Sequence, residues 1–241
     1  MAMNIIITND DGIHGEGLHI LANWARRLGN VTVVAPKFEQ SGKSHAIELH
    51  QPFEIKRVPF ENDITAYTVD STPADCVRYA LLGAELPCDL LLSGINRGPN
   101  LGQDIIYSGT VGAAFEAAAL GYKAVSVSTD FTGFTAAREH LDVICDFFME
   151  RNLLGLGGLY NVNIPDVVTG DIRMTRQGGP YYTDSFRHEG NDMYQAVGRC
   201  IYVDRNDMTI DTDAFRHGHI SISPLTIDRT NKELFERIIS M

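Results

Sequence analysis

Through residue 151 the chain alternates short apolar runs with apolar residues at helical spacing. Asn4 to Thr8 (NIIIT) is a continuous apolar run, which predicts a strand buried on both faces. Leu18, Leu21, Ala22, Ala25 and Leu28 then recur at helical spacing between Glu16 and Leu28, and Gly29 supplies a stop. Val31 to Ala35 (VTVVA) predicts a second strand, ended by Pro36. Thr72 to Gly83 reads as a helix capped by Thr72, with Pro73 in its first turn. Asp89 to Ser93 is a third strand, Ser108 to Leu120 a helix of small residues, Val125 to Ser128 a strand and Ala136 to Arg151 a helix. This alternation predicts βαβ units: a Rossmann-like three-layer α/β sandwich with a mostly parallel sheet and helices on both faces.

Two stretches break the rhythm. Ala46 to Val69 carries β-branched and aromatic residues without a helical period, and predicts a hairpin or short antiparallel strands. Asp171 to Val203 reads the same way, broken by Gly178, Gly179 and Pro180. Both are expected to project from the sheet as insertions. Asp228 to Met241 ends the sequence in a helical pattern through Leu234, Ile238 and Ile239. The expectation is one domain over 1–241, with a core to about residue 165 and a hairpin and assembly region from about 166.

Composition narrows the partners. The 241 residues carry a formal net charge of −11, which argues against a general nucleic-acid binder, because that role needs a basic face. A small phosphorylated substrate stays open, since a bound cation can reverse the local field. Cys76, Cys88, Cys145 and Cys200 form no C-x-x-C pair and have no clustered His beside them. Reduced thiols are expected rather than a zinc site or a disulfide framework. The first residues lack a basic, apolar leader, so no signal peptide is expected, and no apolar stretch is long enough to cross a bilayer.

The chemistry concentrates where strands end. Open parallel sheets bind ligands beyond the carboxyl ends of their strands. There the first strand runs into Thr8-Asn9-Asp10-Asp11-Gly12. Two adjacent carboxylates call for a positive partner, and hard oxygens select Mg²⁺, Mn²⁺ or Ca²⁺. On this segment alone a plain Asp-Gly turn accounts for the residues equally well. The other strand ends shift the balance, because Ser41 follows the second strand and Asn96 the third. Both could complete an all-oxygen shell with Asp10 and Asp11, although both also favour local turn hydrogen bonds.

Gly42-Lys43-Ser44 is not a phosphate-binding P-loop, since Lys37 stands where the pattern needs Gly and no helix follows. Ser108-Gly109-Thr110-Val111 opens a helix instead. Ser108 can cap it, and the first N–H groups with the helix dipole make an anion site. Close packing of Gly112 and the alanines after it explains the other face of that helix.

Together these segments resemble the SurE family of survival-protein nucleotidases. TNDDG, VVAP followed by QSGKS, TPADCV, SGINRGPNLGQDIIYSGTVGAA, NVNIP and the late GHISISPL carry the likeness, from residue 4 to roughly 225. Ser71 departs from the family's usual Gly, and Gly178 to Tyr194 matches loosely. The resemblance implies a 5′-nucleotidase acting on nucleoside monophosphates, with 3′-nucleotides and short polyphosphates accepted by many members. It implies one divalent cation per subunit, Mg²⁺ or Mn²⁺, on Asp10, Asp11, Ser41 and Asn96. It implies a cytoplasmic homodimer or homotetramer with C-terminal elements exchanged between subunits.

The expected mechanism is in-line attack of water on phosphorus, with Asp10 or Asp11 as proton acceptor. Phosphate contacts are expected from Asn9, Asn96, Ser108, Gly109 and Thr110. A non-catalytic nucleotide or metal sensor on the same fold is the rival reading.

Overall fold

The computed structural model describes residues 2–241. Its first strand, β1 (Met3–Thr8), lies in the interior of a nine-stranded sheet, fourth from one edge. β2 (Gly29–Pro36) and β5 (Leu90–Arg97) pair with it in parallel on either side, Ile5 standing opposite both Val31 and Leu90. Beyond β5 come β6 (Ala124–Thr129) and β7 (Leu159–Ile164), again parallel.

Alternation along these strands feeds two cores. Ile5, Ile7, Val33 and Leu92 face a layer built on α1 (Glu16–Ala25) and α4 (Thr135–Glu150). Ile6, Val34 and Leu91 face α2 (Pro73–Arg78) and α3 (Gly109–Ala119). A strand flanked by helices on both faces has no polar side to show, which is why these strands read as unbroken apolar runs. The result is the Rossmann-like three-layer α/β arrangement. The Thr72 cap forms as expected, its hydroxyl oxygen accepting from Asp75 N–H at 3.1 Å, and α2 runs on into a π-type turn over Tyr79–Gly83.

The structure corrects one of the two expected insertions. β3 (Ile55–Val58) and β4 (Thr65–Val69) are indeed antiparallel, but β4 also pairs in parallel with β2, from Thr32–Thr65 to Pro36–Val69. They extend the main sheet at its edge instead of projecting from it. In the second stretch only β9 (Tyr182–Gly190) and β10 (Met193–Cys200) stand apart as a two-stranded hairpin. β8 (Ile172–Met174) joins the sheet beside β11 (Ile220–Pro224), which runs antiparallel to β7. The sheet therefore draws strands from well past residue 165.

Two short helices, α5 (Leu153–Leu156) and α6 (Asp211–Arg216), complete the body, and α7 (Lys232–Ile239) closes the chain. Asn231 caps α7 by accepting from Leu234 N–H at 2.9 Å. Its apolar residues Leu234, Phe235, Ile238 and Ile239 are all 50% exposed or more, so α7 does not fold back on its own core. The cysteines are all free, Cys76 buried and Cys200 exposed. Among the described residues no helix is long and apolar enough to cross a membrane.

Candidate active site

The carboxyl ends of β1, β2 and β5 meet the first turn of α3. The chain leaves β1 through a loop braced by Asn9, which is fully buried. Its side-chain amide donates to Gly12 O at 2.9 Å and its Oδ1 accepts from Gly12 N–H at 3.2 Å. The loop after β2 is tied to the same place, with Ile13 N–H donating to Pro36 O at 2.8 Å and Gln40 N–H to Asp10 O at 2.7 Å. Asn9 thus shapes the turn that presents Asp10 and Asp11, with one of its two amide N–H groups given to Gly12 O.

Asp10 is 4% exposed. Thr110, on the first turn of α3, donates its hydroxyl to the Asp10 carboxylate. Burial raises the Asp10 pKa, and this bond pulls against it. Gly109 allows the approach, since a Cβ there would lie 2.9 Å from Asp10 Cβ and 3.1 Å from its Oδ2. Asp11 is half-buried. Burial, then the neighbouring Asp10 charge, then Glu39 push its pKa up to about 6, against the pull of Arg97. Two carboxylates share one poorly solvated corner, with more negative than positive charge around them. That is costly unless a cation joins them.

Asn96 and Ser41 are the neutral donors expected beside this pair. Asn96 lies on β5 itself, because the strand runs to Arg97 and not to Ser93 as its apolar run suggests. Its amide nitrogen donates to Gly98 O at 2.7 Å, leaving Oδ1 as the uncommitted atom. Ser41 is exposed in the loop after β2, its hydroxyl donating to Glu39 Oε1 at 2.8 Å with lone pairs to spare. Among the described residues no three His, Cys, Asp or Glu side chains converge as a metal cluster. The combined charge of Asp10 and Asp11 would match one divalent ion, and oxygen donors of this kind suit Mg²⁺ or Mn²⁺.

The helix start carries the cap that its sequence suggests. Ser108 Oγ accepts from Val111 N–H at 3.1 Å, so Ser108 is a helix cap. The Thr110 hydroxyl is committed to Asp10. Capping by Ser108 thus takes up one of the orphan donors of this first turn. Gly109 N–H is a further donor of that turn.

Sequence reasoning missed the buried polar network that anchors the segment after β5. Asn100 N–H donates to Asn163 Oδ1 at 2.8 Å, and the Asn161 and Asn163 amides both donate to Asn100 O, at 2.8 and 2.9 Å. Asp211 accepts from Gly102 N–H at 2.9 Å and Gly178 N–H at 2.8 Å. The asparagines of NRGPN and NVN were the available signal, polar residues where a buried strand should be apolar.

Fold and site together define a Rossmann-like α/β protein with a carboxylate-centred site at the carboxyl edge of its sheet. The family model described as "Survival protein SurE" matches residues 5–184, and the chain belongs to that family. It is 38% identical to "5'-nucleotidase SurE" of Thermoanaerobacter sp. (strain X514), over 95% of this chain and 94% of that protein. A protein of the same name from Legionella pneumophila subsp. pneumophila (strain Philadelphia 1) is also 38% identical, over 99% of this chain and 97% of its own. The crystal structure of SurE protein from Aquifex aeolicus superposes with a TM-score of 0.77 at 30% identity, covering 98% of both chains.

Proposed function

We propose that this chain is a divalent-metal-dependent phosphomonoesterase, a 5′-nucleotidase that hydrolyses nucleoside 5′-monophosphates to nucleoside and phosphate. Its range extends to 3′-nucleotides and short polyphosphate, and one Mg²⁺ or Mn²⁺ serves each subunit through Asp10, Asp11, Ser41 and Asn96. The observation that carries this reading is the buried, cation-seeking Asp10–Asp11 pair at the sheet edge, in a chain whose relatives are named as 5′-nucleotidases.

When bound, the cation supplies Lewis acidity at a phosphoryl oxygen. Asp10, held by Thr110, is the fixed anion of the site. Asp11 is less buried, so it has room to take a proton from the attacking water. Gly109 N–H, at the positive end of α3, is placed to meet charge developing on a non-bridging oxygen. Asn96 and Ser41 add oxygens without adding charge, which keeps the pair of carboxylates matched to one dication.

The chain acts as one domain in a cytoplasmic homodimer or homotetramer. The bare apolar stripe of α7 supports an assembly in which a second subunit covers it.

Phosphate release from AMP and other nucleoside monophosphates tests the reading. It is expected with Mn²⁺ or Mg²⁺ and should vanish with EDTA. Full activity without metal would overturn the metal dependence, and no release from any nucleotide with metal present would overturn the activity.

A further inference from the structure

Glu116 is a buried acid, 6% exposed, that the mechanism above does not use. It sits six residues beyond Thr110 on α3, about 9 Å along the axis at 1.5 Å per residue. One carboxylate oxygen meets His45 Nε2 at 2.6 Å, and the other accepts from Arg78 Nη1 at 2.8 Å. His45 first, then Arg78, hold this carboxyl below the usual range in spite of its burial.

His45 belongs to the segment that carries Ser41. That segment is fastened on both sides of Ser41. Before it, Gln40 N–H donates to Asp10 O at 2.7 Å. After it, Ser44 N–H donates to Tyr107 O at 3.0 Å, and the Ser44 hydroxyl to Ile106 O. Further on, Thr72 Oγ1 donates to Ala46 O at 2.7 Å and Glu48 N–H to Asp75 Oδ2 at 2.9 Å. Gly112 and Glu116 are four apart and share one face of α3. The segment lies so close there that a Cβ on Gly112 would stand 2.5 Å from Ser44 O and 3.1 Å from His45 Cα.

One rigid helix therefore grips two parts of the site. Its first turn holds Asp10 through Thr110. The next turns hold the Ser41 segment through Gly112 and Glu116. We propose that Glu116 is a positioning residue for the cation site: through His45 it fixes where Ser41 sits relative to Asp10, with α3 as the common reference. This rests on the reading of Ser41 and Asp10 as cation donors. Groups that orient metal ligands from behind are worth roughly 10–100-fold in metal affinity.

Calorimetric titration of the full chain with Mn²⁺ alone tests it, beside amide hydrogen exchange over residues 40–48. Glu116→Ala should raise the Mn²⁺ Kd roughly tenfold and speed exchange in that segment. Gly112→Ala should do the same without touching a charge, by pushing Ser44 off the helix. Glu116→Gln, which keeps shape and hydrogen-bonding capacity, should restore most of the affinity. Tyr160→Phe loses a buried bond to Leu153 O on the other face of the sheet. It should leave the Kd unchanged, which separates positioning from general loss of stability. A wild-type Kd in folded Glu116→Ala and Gly112→Ala would overturn the inference alone. Failure of the unsubstituted protein to bind Mn²⁺ would overturn the cation reading and this inference with it.

Discussion

Asp11 should weaken the metal-free fold at neutral pH, and replacing it should strengthen that fold. Its pKa is pushed from 3.8 to about 6 in the folded protein. The folded state therefore holds a proton on Asp11 that the unfolded chain has released. Between these values the unfolded state binds fewer protons, so stability falls as pH rises from about 4 to about 6 and stays low above. At 1.36 kcal/mol per pH unit the whole interval is worth at most about 3 kcal/mol. Asp11 is only half-buried, and solvent screening cuts this to about 1–2 kcal/mol. For a chain of this length each kcal/mol moves Tm by about 2–4 °C. Thermal melts in EDTA should then show Asp11→Asn matching the parent near pH 4 and exceeding it by about 2–8 °C at pH 7.5. Excess Mn²⁺ should raise the parent's Tm and erase the advantage, because the cation binds the charged pair. Melting curves that coincide in EDTA at pH 7.5 would refute the claim that this carboxyl is held above its ordinary pKa in the metal-free protein.

Asp10→Asn should lower kcat by orders of magnitude while the fold survives; near-normal kcat/KM would return the DDG segment to an ordinary turn. Thr110→Val keeps the shape of a fully buried side chain but removes the hydroxyl donated to Asp10. A bond to a charged acceptor is worth about 1.5–3 kcal/mol, so kcat is expected to fall roughly 10–100-fold, read from initial rates on AMP with saturating Mn²⁺. Deleting the chain from Arg229 onward removes α7 and should weaken both association and thermal stability. Light scattering at micromolar protein would count against the covered-stripe reading if the intact chain ran as a monomer or if the truncated chain kept its size.

The site's dependence on neighbours explains the order of these effects. Asp10 meets a residue 100 positions away, and the loop that carries Ser41 meets one 71 positions away. Both partners lie on α3. A change in that helix is therefore expected to disturb the cation site more than a change of equal cost in the α4 layer, whose packing serves the opposite core.

Local pattern by itself determined the central strands, the helices between them and the acidic turn after β1. The reason is that a strand buried on both faces must be apolar throughout, and a helix on its face must repeat every three to four residues. Asp10, Asp11, Ser41 and Asn96 stood out as candidates because they lie at or just after the carboxyl ends of such strands, where this architecture opens. Tertiary structure alone decided what the polar groups do. Whether Thr110 faces a phosphate or Asp10 depends on how close α3 stands to the β1 loop, and Gly109 permits that closeness without announcing it. Strands β7 and β11 escaped the pattern because Asn161, Asn163, Ser221 and Ser223 break their apolar runs, and all four are buried. Their places are set by distant partners, Asn100 for the asparagines and Thr175 for Ser223. The edge pair β3–β4 looked like a free hairpin for the same reason. Its second neighbour, β2, lies some thirty residues earlier, and no local periodicity records a hydrogen bond made at that separation.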